Sequence, residues 1–276
     1  MDEKSSLGFS SLYGLGKILG KGAEGTVYKA VRYSDGKEFA VKIMEGKNMN
    51  SFLKEYNLLL EIKEACILQV FENYVEGDKY IVVMEYIGGY DLSRFMRNKY
   101  VIRASEYTNL CLKYMSQVYE CINKLHSLGI VHRDIKLENI MLMNGHTKII
   151  DFGFARSKDD SAEWYRVGTP DYISPSILKK ELSFETYEYQ DYWSICIALF
   201  ILLHNDETPF TDQAEPGGEH DLKFLYRNIV NGNVVKNLFE SNEIDDILYD
   251  VFAHQPKNLS TRLEHIFSLG NPDPFD

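Results

Sequence analysis

Between Ile130 and Asn139 the chain reads Ile130-Val131-His132-Arg133-Asp134-Ile135-Lys136-Leu137-Glu138-Asn139, and Asp151-Phe152-Gly153 follows twelve residues later. Asp134 can accept a proton, Lys136 can contact a transferring phosphoryl group, and Asn139 and Asp151 can share a metal ion. In-line phosphoryl transfer needs those parts, because its catalysis is mainly positioning and charge neutralisation. Magnesium accepts such hard oxygen ligands and keeps waters beside them. A charged loop would supply any one of these residues by chance; the ordered set is far less expected.

Two earlier segments fit the same chemistry. Leu19-Gly20-Lys21-Gly22-Ala23-Glu24-Gly25-Thr26-Val27 carries glycines that let backbone N–H groups approach phosphate oxygens. Alone it is a weak signal, equally suited to a plain hairpin. A dinucleotide site would need a helix directly after it, whereas Thr26 to Val31 is β-branched and reads as strand. Phe39-Ala40-Val41-Lys42 places a lysine in an apolar strand, and an inward-facing ammonium there needs an anion. Glu55 and Glu61 on the following helix are candidates. Six residues span roughly 600° of helix, so the two cannot point the same way.

The elements that must hold these residues follow from periodicity. Strand patterns run over Leu15–Leu19, Thr26–Tyr33, Glu38–Met44, Ile67–Tyr74 and Lys79–Tyr86, with Asp35-Gly36 and Gly77-Asp78 as turn signals. One helix, Asn50 to Lys63, interrupts them. After Gly88-Gly89 the spacing becomes helical: Ser105, as N-cap, to Gly129, then Gln190 to His204, with weaker patterns at 221–230, 244–252 and 259–269. Residues 1–12, small and polar, read as a flexible arm.

Length and charge narrow the function. The 276 residues, 45% hydrophobic, can bury one large core or two modest ones, and no apolar run approaches the roughly 20 residues of a membrane helix. With 30 basic against 41 acidic residues the net charge is −11, which disfavours nucleic acid as a partner. Cys66, Cys111, Cys121 and Cys196 have neither zinc-site spacing nor disulfide-framework density. They read as reduced core residues of an intracellular protein, cytoplasmic or nuclear.

In order, Gly20-x-Gly22-x-x-Gly25-x-Val27, Ala40-Val41-Lys42, His132-Arg133-Asp134 through Asn139, Asp151-Phe152-Gly153, Gly168 to Pro175 and Asp191-Tyr192-Trp193-Ser194 resemble a eukaryotic-type protein kinase from about Tyr13 to Phe267. The resemblance implies an α+β, bilobal fold: a small antiparallel β-sheet N-lobe with one main helix, about 13–86, and a larger, mostly helical C-lobe, about 87–276. It implies ATP and Mg²⁺ as cofactors. Gly20, Gly22 and Gly25 would cover the phosphates, with Leu19 in the same nucleotide-binding set. Val27, Ala40 and Met141 would sandwich adenine, Met84 would be the gatekeeper, Glu85 and Ile87 would offer hinge backbone groups, and Asp91 would reach the ribose. Lys42 would hold the α- and β-phosphates, and counting back from Val70 makes Glu55 its partner. Asp134 would accept the substrate hydroxyl proton, Lys136 would steady the γ-phosphoryl, Asn139 and Asp151 would hold Mg²⁺, and Thr169 joins the catalytic set. Leu59, Val70, His132 and Phe152 would stack as an apolar spine, and the catalytic groups would converge on one triphosphate-sized cleft between the lobes.

Lys136 and Thr169 are similar to serine/threonine kinases, implying protein substrates with Ser/Thr acceptors. The activation segment resembles the Rho-associated and myotonic-dystrophy group, the catalytic loop the calmodulin-dependent and AMP-activated group. Two departures stand out. Ser176 takes the place of the family's glutamate, which would leave Arg262 without a carboxylate unless Glu181 or Glu264 substitutes. Tyr165 takes the place of a commonly phosphorylated threonine. Either an upstream kinase acting on the 157–169 loop places phosphate at Ser161 or Tyr165 beside Arg133, or Trp164 and Tyr165 pack that loop without modification. The alternative to an active kinase is a nucleotide-binding pseudokinase or scaffold, which rests on Ser176 alone.

Overall fold

Tyr13, Phe39 and Tyr74 gather aromatic rings on one face of an antiparallel sheet, and Phe9 closes over them. The computed structural model describes residues 8–22, 25–45, 49–160, 164–211 and 222–270, which divide into two compact units, 1–89 and 90–276.

In the first unit a single helical turn, α1 (Phe9–Leu12), leads into β1 (Tyr13–Gly22), β2 (Gly25–Arg32) and β3 (Glu38–Glu45). Helix α2 (Met49–Glu61) precedes β4 (Val70–Glu76) and β5 (Lys79–Glu85), and the sheet order is β1-β2-β3-β5-β4. This is the antiparallel sheet with one main helix that the alternating apolar runs predict. Gly36 and Gly77 turn the chain at φ 70° and 64°, in the left-handed region that glycine enters at little cost. Packing begins before Tyr13, contrary to the expected arm over residues 1–12. Phe9 is buried and stacks on Tyr13 with centroids 5.3 Å apart. A single aromatic among polar neighbours has no periodicity to announce its burial. Residues 1–7 of that arm lie outside the described residues.

The second unit is mainly helical. It contains β6 (Tyr90–Asp91), α3 (Leu92–Arg97), α4 (Ala104–Ser127), β7 (Ile130–Val131), β8 (Ile140–Met143), β9 (His146–Ile149) and β10 (Arg156–Ser157). Helices α5 (Pro175–Leu178), α6 (Phe184–Leu203), α7 (Leu222–Asn231), α8 (Glu243–His254) and α9 (Leu259–Ser268) follow. Short strands frame the chemistry: β6-β8-β9 form one sheet and β10-β7 another.

Helix α6 starts six residues before the expected Gln190, where Ser183 caps it by accepting from Thr186 N. Its buried residues encircle it, so no amphipathic stripe marks its start. Helix α4 begins at Ala104 with Arg103 as cap residue, not Ser105, and no side chain caps it. Among the described residues no helix is long and apolar enough to cross a membrane. The cysteine expectation is corrected in half: Cys111 and Cys196 are free and buried, but Cys66 and Cys121 are disulfide-bonded. Spacing along a chain does not report which thiols a fold brings within bonding range.

Candidate active site

The first unit supplies a glycine hairpin and an ion pair. Strands β1 and β2 pair so that Gly22 faces Gly25 and Gly20 faces Val27, and Val27 in turn sits opposite Lys42 on β3. A Cβ on Gly25, at φ 144°, would lie 2.4 Å from Ile43 O, so the fold itself demands glycine there. Gly20 and Gly22 face no such demand: among the described residues nothing lies within 4 Å of an added Cβ. Leu19, just before them, is exposed.

Lys42 Nζ meets Glu55 Oε2 at 3.2 Å, both side chains mostly shielded, while Glu61 is exposed. Helical rotation separates the two acids as expected, and the pairing falls to Glu55. Lys42, Glu55, Leu59, Val70 and Met84 line one recess. Ala40 and Met84 are register partners and both are buried. Glu85 N–H donates to Gln69 O at 2.8 Å, which withdraws that amide from ligand recognition; Ile87 is buried.

The second unit holds Asp134, the candidate proton acceptor. Asp134 is 5% exposed and takes four donors: Thr169 N at 3.0 Å and Oγ1 at 2.8 Å on Oδ1, Lys136 Nζ at 2.8 Å and Asn139 Nδ2 at 3.2 Å on Oδ2. Burial by itself would raise its pKa, but the hydrogen bonds from Lys136 and Thr169 outweigh it and hold the carboxyl below its ordinary value. Asn139 Nδ2 also donates to Asp134 O at 3.0 Å, so both amide contacts use nitrogen and its oxygen is the atom suited to a metal. Ile150 N donates to Asn139 O at 2.9 Å, tying this loop to the residue before Asp151.

Asp151 is exposed and sits at φ 63°, Arg133 at φ 72°. Two non-glycine residues in that region signal a conformation imposed by surroundings. Asp191, fully buried on α6, supplies part of the constraint by accepting from His132 N at 2.9 Å and Arg133 N at 2.8 Å. His126 Nε2 lies 2.9 Å from the same carboxylate. Phe152 is buried edge-on against His132 at 4.8 Å. Burial pushes the His132 pKa down, against the pull of Asp191, Asp151 and Asp134.

Asp91 pairs in register with Met141, and its Oδ1 caps α3 by accepting from Arg94 N at 2.8 Å. Among the described residues no three His, Cys, Asp or Glu gather as a metal cluster.

The family model for the protein kinase domain matches residues 13–266. The chain belongs to the protein kinase family. It is 29% identical over 267 residues to CBL-interacting protein kinase 12 of Oryza sativa subsp. japonica, covering 93% of this chain and 47% of that protein. It is 30% identical to the probable serine/threonine-protein kinase fhkC of Dictyostelium discoideum (80% and 37%). To the cAMP-dependent protein kinase catalytic subunit of Arthrobotrys oligospora it is 29% identical (79% and 40%). This kinase domain thus spans less than half the length of each of these relatives.

Sequence reasoning missed Gln190. Buried at the inner end of α6's first turns, its Oε1 accepts from Ser174 N at 2.7 Å and its Nε2 donates to Tyr172 O at 2.8 Å. The segment after Thr169 is therefore clamped by one amide. A lone glutamine at the head of an apolar run was the available signal. Arg262 also differs from expectation: its Nη2 lies 2.8 Å from Asp250 Oδ2, while Glu264 is engaged by Tyr119 OH. The neighbouring turn of α8 supplies the carboxylate. Ser161 lies outside the described residues.

Proposed function

We propose that this protein is an ATP-dependent serine/threonine kinase that transfers the γ-phosphoryl group of Mg-ATP to hydroxyls of protein substrates. The observation that carries the reading is Asp134, a buried carboxylate kept ionised by four donors and shared with the lysine and asparagine that phosphoryl transfer requires.

Lys42, fixed by Glu55, would hold the α- and β-phosphates. Gly20 and Gly22, where a side chain would fill otherwise open space, suit close approach of backbone N–H groups to phosphate oxygens. Asn139 and Asp151 offer the hard oxygen donors that Mg²⁺ prefers; two protein ligands suffice, since this ion keeps waters and substrate phosphates in its shell. Bound Mg²⁺ would supply charge neutralisation at the phosphates. Ala40, Val27 and Met141 would border adenine, Met84, Glu85 and Ile87 the hinge side, and Asp91, with one carboxylate oxygen spent on its helix cap, the ribose.

A carboxylate has about four acceptor sites, and all four of Asp134's are in use. To receive a substrate hydroxyl it must release one donor. Lys136, whose side chain is 23% exposed and ends in a long flexible ammonium, is the one to leave toward the γ-phosphoryl. Its departure opens Oδ2 to the hydroxyl proton. We place the protein inside the cell, where its cosubstrate is held.

The test is phosphate transfer from ATP to a Ser/Thr peptide array by purified protein beside Asp134→Asn and Lys42→Met. Loss of a positioned base costs about 10² to 10⁴ in rate. Wild-type transfer no faster than Asp134→Asn rejects the reading in favour of a pseudokinase, and labelling of tyrosine rather than serine or threonine rejects the acceptor class.

A further inference from the structure

The segment leading to Thr169 determines whether two of the four donors stay on Asp134. Something must dock that segment, and its neighbours are arginines and rings.

Arg133 carries its guanidinium into the interior at 3% exposure, and burial pulls its pKa down. A buried charge is costly unless compensated. Its Nε donates to Phe154 O at 2.5 Å, and its Nη1 has no hydrogen-bond partner among the described residues. Among the described residues, the Tyr187 and Tyr165 side chains favour its charged form and Arg156 opposes it. Ring faces lie against it as well: Tyr187 at 5.1 Å, Tyr165 at 5.3 Å and Trp164 at 5.7 Å.

Trp164 does more than join that ring set. Arg156, whose Nε lies 3.5 Å from Asp160 Oδ2, places its guanidinium 4.2 Å from the indole. The indole also stacks on Tyr187 at 5.4 Å and meets Phe184 edge-on. Tyr187 OH donates to Tyr165 O at 2.6 Å, which pins the backbone one residue further on. Val167 packs on the same buried cluster. At Gly168, φ 112°, a Cβ would come within 2.9 Å of Arg133 O, so the segment and the catalytic loop meet there more closely than a side chain would permit. Thr169 follows, with both its donors on Asp134.

We propose that Trp164 is a positioning residue for phosphoryl transfer: held between Arg133 and Arg156, it docks the 164–169 segment onto Asp134 so that no phosphate on this segment is needed for activity. A phosphate would engage a guanidinium through its N–H edge. In this arrangement Arg133's Nε is already spent on Phe154 O, and the guanidinium, 3% exposed, is approached by the segment's own rings with no phosphate involved. This inference rests on the kinase reading above, whose control is wild type against Asp134→Asn.

The experiment uses the full chain, treated with phosphatase and shown by mass spectrometry to carry no phosphate, with the best substrate of a Ser/Thr peptide array as probe. Phosphate-free wild type should keep its rate within about twofold of the untreated protein. Trp164→Ala should lower peptide kcat/KM about 30-fold, the weight of one desolvated cation–π contact, while the KM for ATP stays put. Trp164→Phe should recover part of the loss, which a nonspecific folding defect would not predict. Activity that vanishes with the phosphate, or a Trp164→Ala variant as fast as wild type, overturns the proposal while leaving the kinase reading intact. If Trp164→Ala fails to fold, the phosphatase comparison and Trp164→Phe decide. An untreated wild type no faster than Asp134→Asn sinks the kinase reading itself, and this one with it.

Discussion

Thr169 reaches the same oxygen of Asp134 twice, through its amide at 3.0 Å and its hydroxyl at 2.8 Å, and the hydroxyl in turn accepts from Lys136 Nζ at 3.0 Å. The hydroxyl therefore links carboxylate and ammonium. Removing it in Thr169→Ala should cut kcat by about 10- to 100-fold, the weight of a hydrogen bond to a charged group. Because these hydrogen bonds hold the Asp134 pKa down, their loss should also move the acid limb of the kcat profile to higher pH. Thr169→Ser should stay near wild type. An acid limb that does not move in Thr169→Ala would show that the hydroxyl has no hold on Asp134.

The glycine hairpin separates structural from functional glycine. Gly25→Ala forces a Cβ against Ile43 O at a positive φ and should destabilise the fold by about 1 to 3 kcal/mol or more. Gly20→Ala meets nothing among the described residues and should melt at or above the wild-type temperature, yet raise the KM for ATP. Equal melting temperatures for the two variants, read by calorimetry, would contradict this division.

His204 packs flat on Phe200 at 4.0 Å and places Nε2 3.2 Å from Asp245 Oδ2 on α8. Burial would lower its pKa, but the hydrogen bond to Asp245 and the Phe200 carbonyl prevail and raise it. A raised value in the folded state favours the protonated form. Its contribution to stability is fully present below about pH 6.5, the ordinary histidine value, and is lost as pH rises through the higher folded value. In urea titrations the stability gap between wild type and His204→Gln should narrow as pH increases over that range. A gap that is flat or widens would reverse the assignment.

Arg262 and Asp250 are both partly solvated, at 39% and 34% side-chain exposure. A pair so placed contributes about 0 to 1 kcal/mol, against the about 3 to 5 kcal/mol of a buried pair broken on one side. Arg262→Ala should therefore lower stability by no more than about 1 kcal/mol in denaturant unfolding. A larger loss would return weight to Ser176 as a defect and to the scaffold alternative.

The sequence by itself determined the family and the order of parts. Glycine, lysine, aspartate and asparagine at these spacings have few other uses together, and period-two and helical patterns identified the five-stranded sheet and the α4 helix. It did not determine whose side chain meets whose. That Lys42 takes Glu55 was legible only by counting back from Val70 under the kinase resemblance; helix geometry showed no more than that Glu55 and Glu61 cannot point the same way. That Gln190 clamps Tyr172 and Ser174, that Asp250 serves Arg262, and that Phe9 belongs to the core were not legible. Each depends on residues distant in sequence or lacking any periodic neighbour, and contact between such residues exists only once the chain has folded. The Arg133 surroundings show the same limit most clearly: the sequence left phosphate and packing as alternatives, and the rings of Trp164, Tyr165 and Tyr187 gather around the guanidinium only in three dimensions.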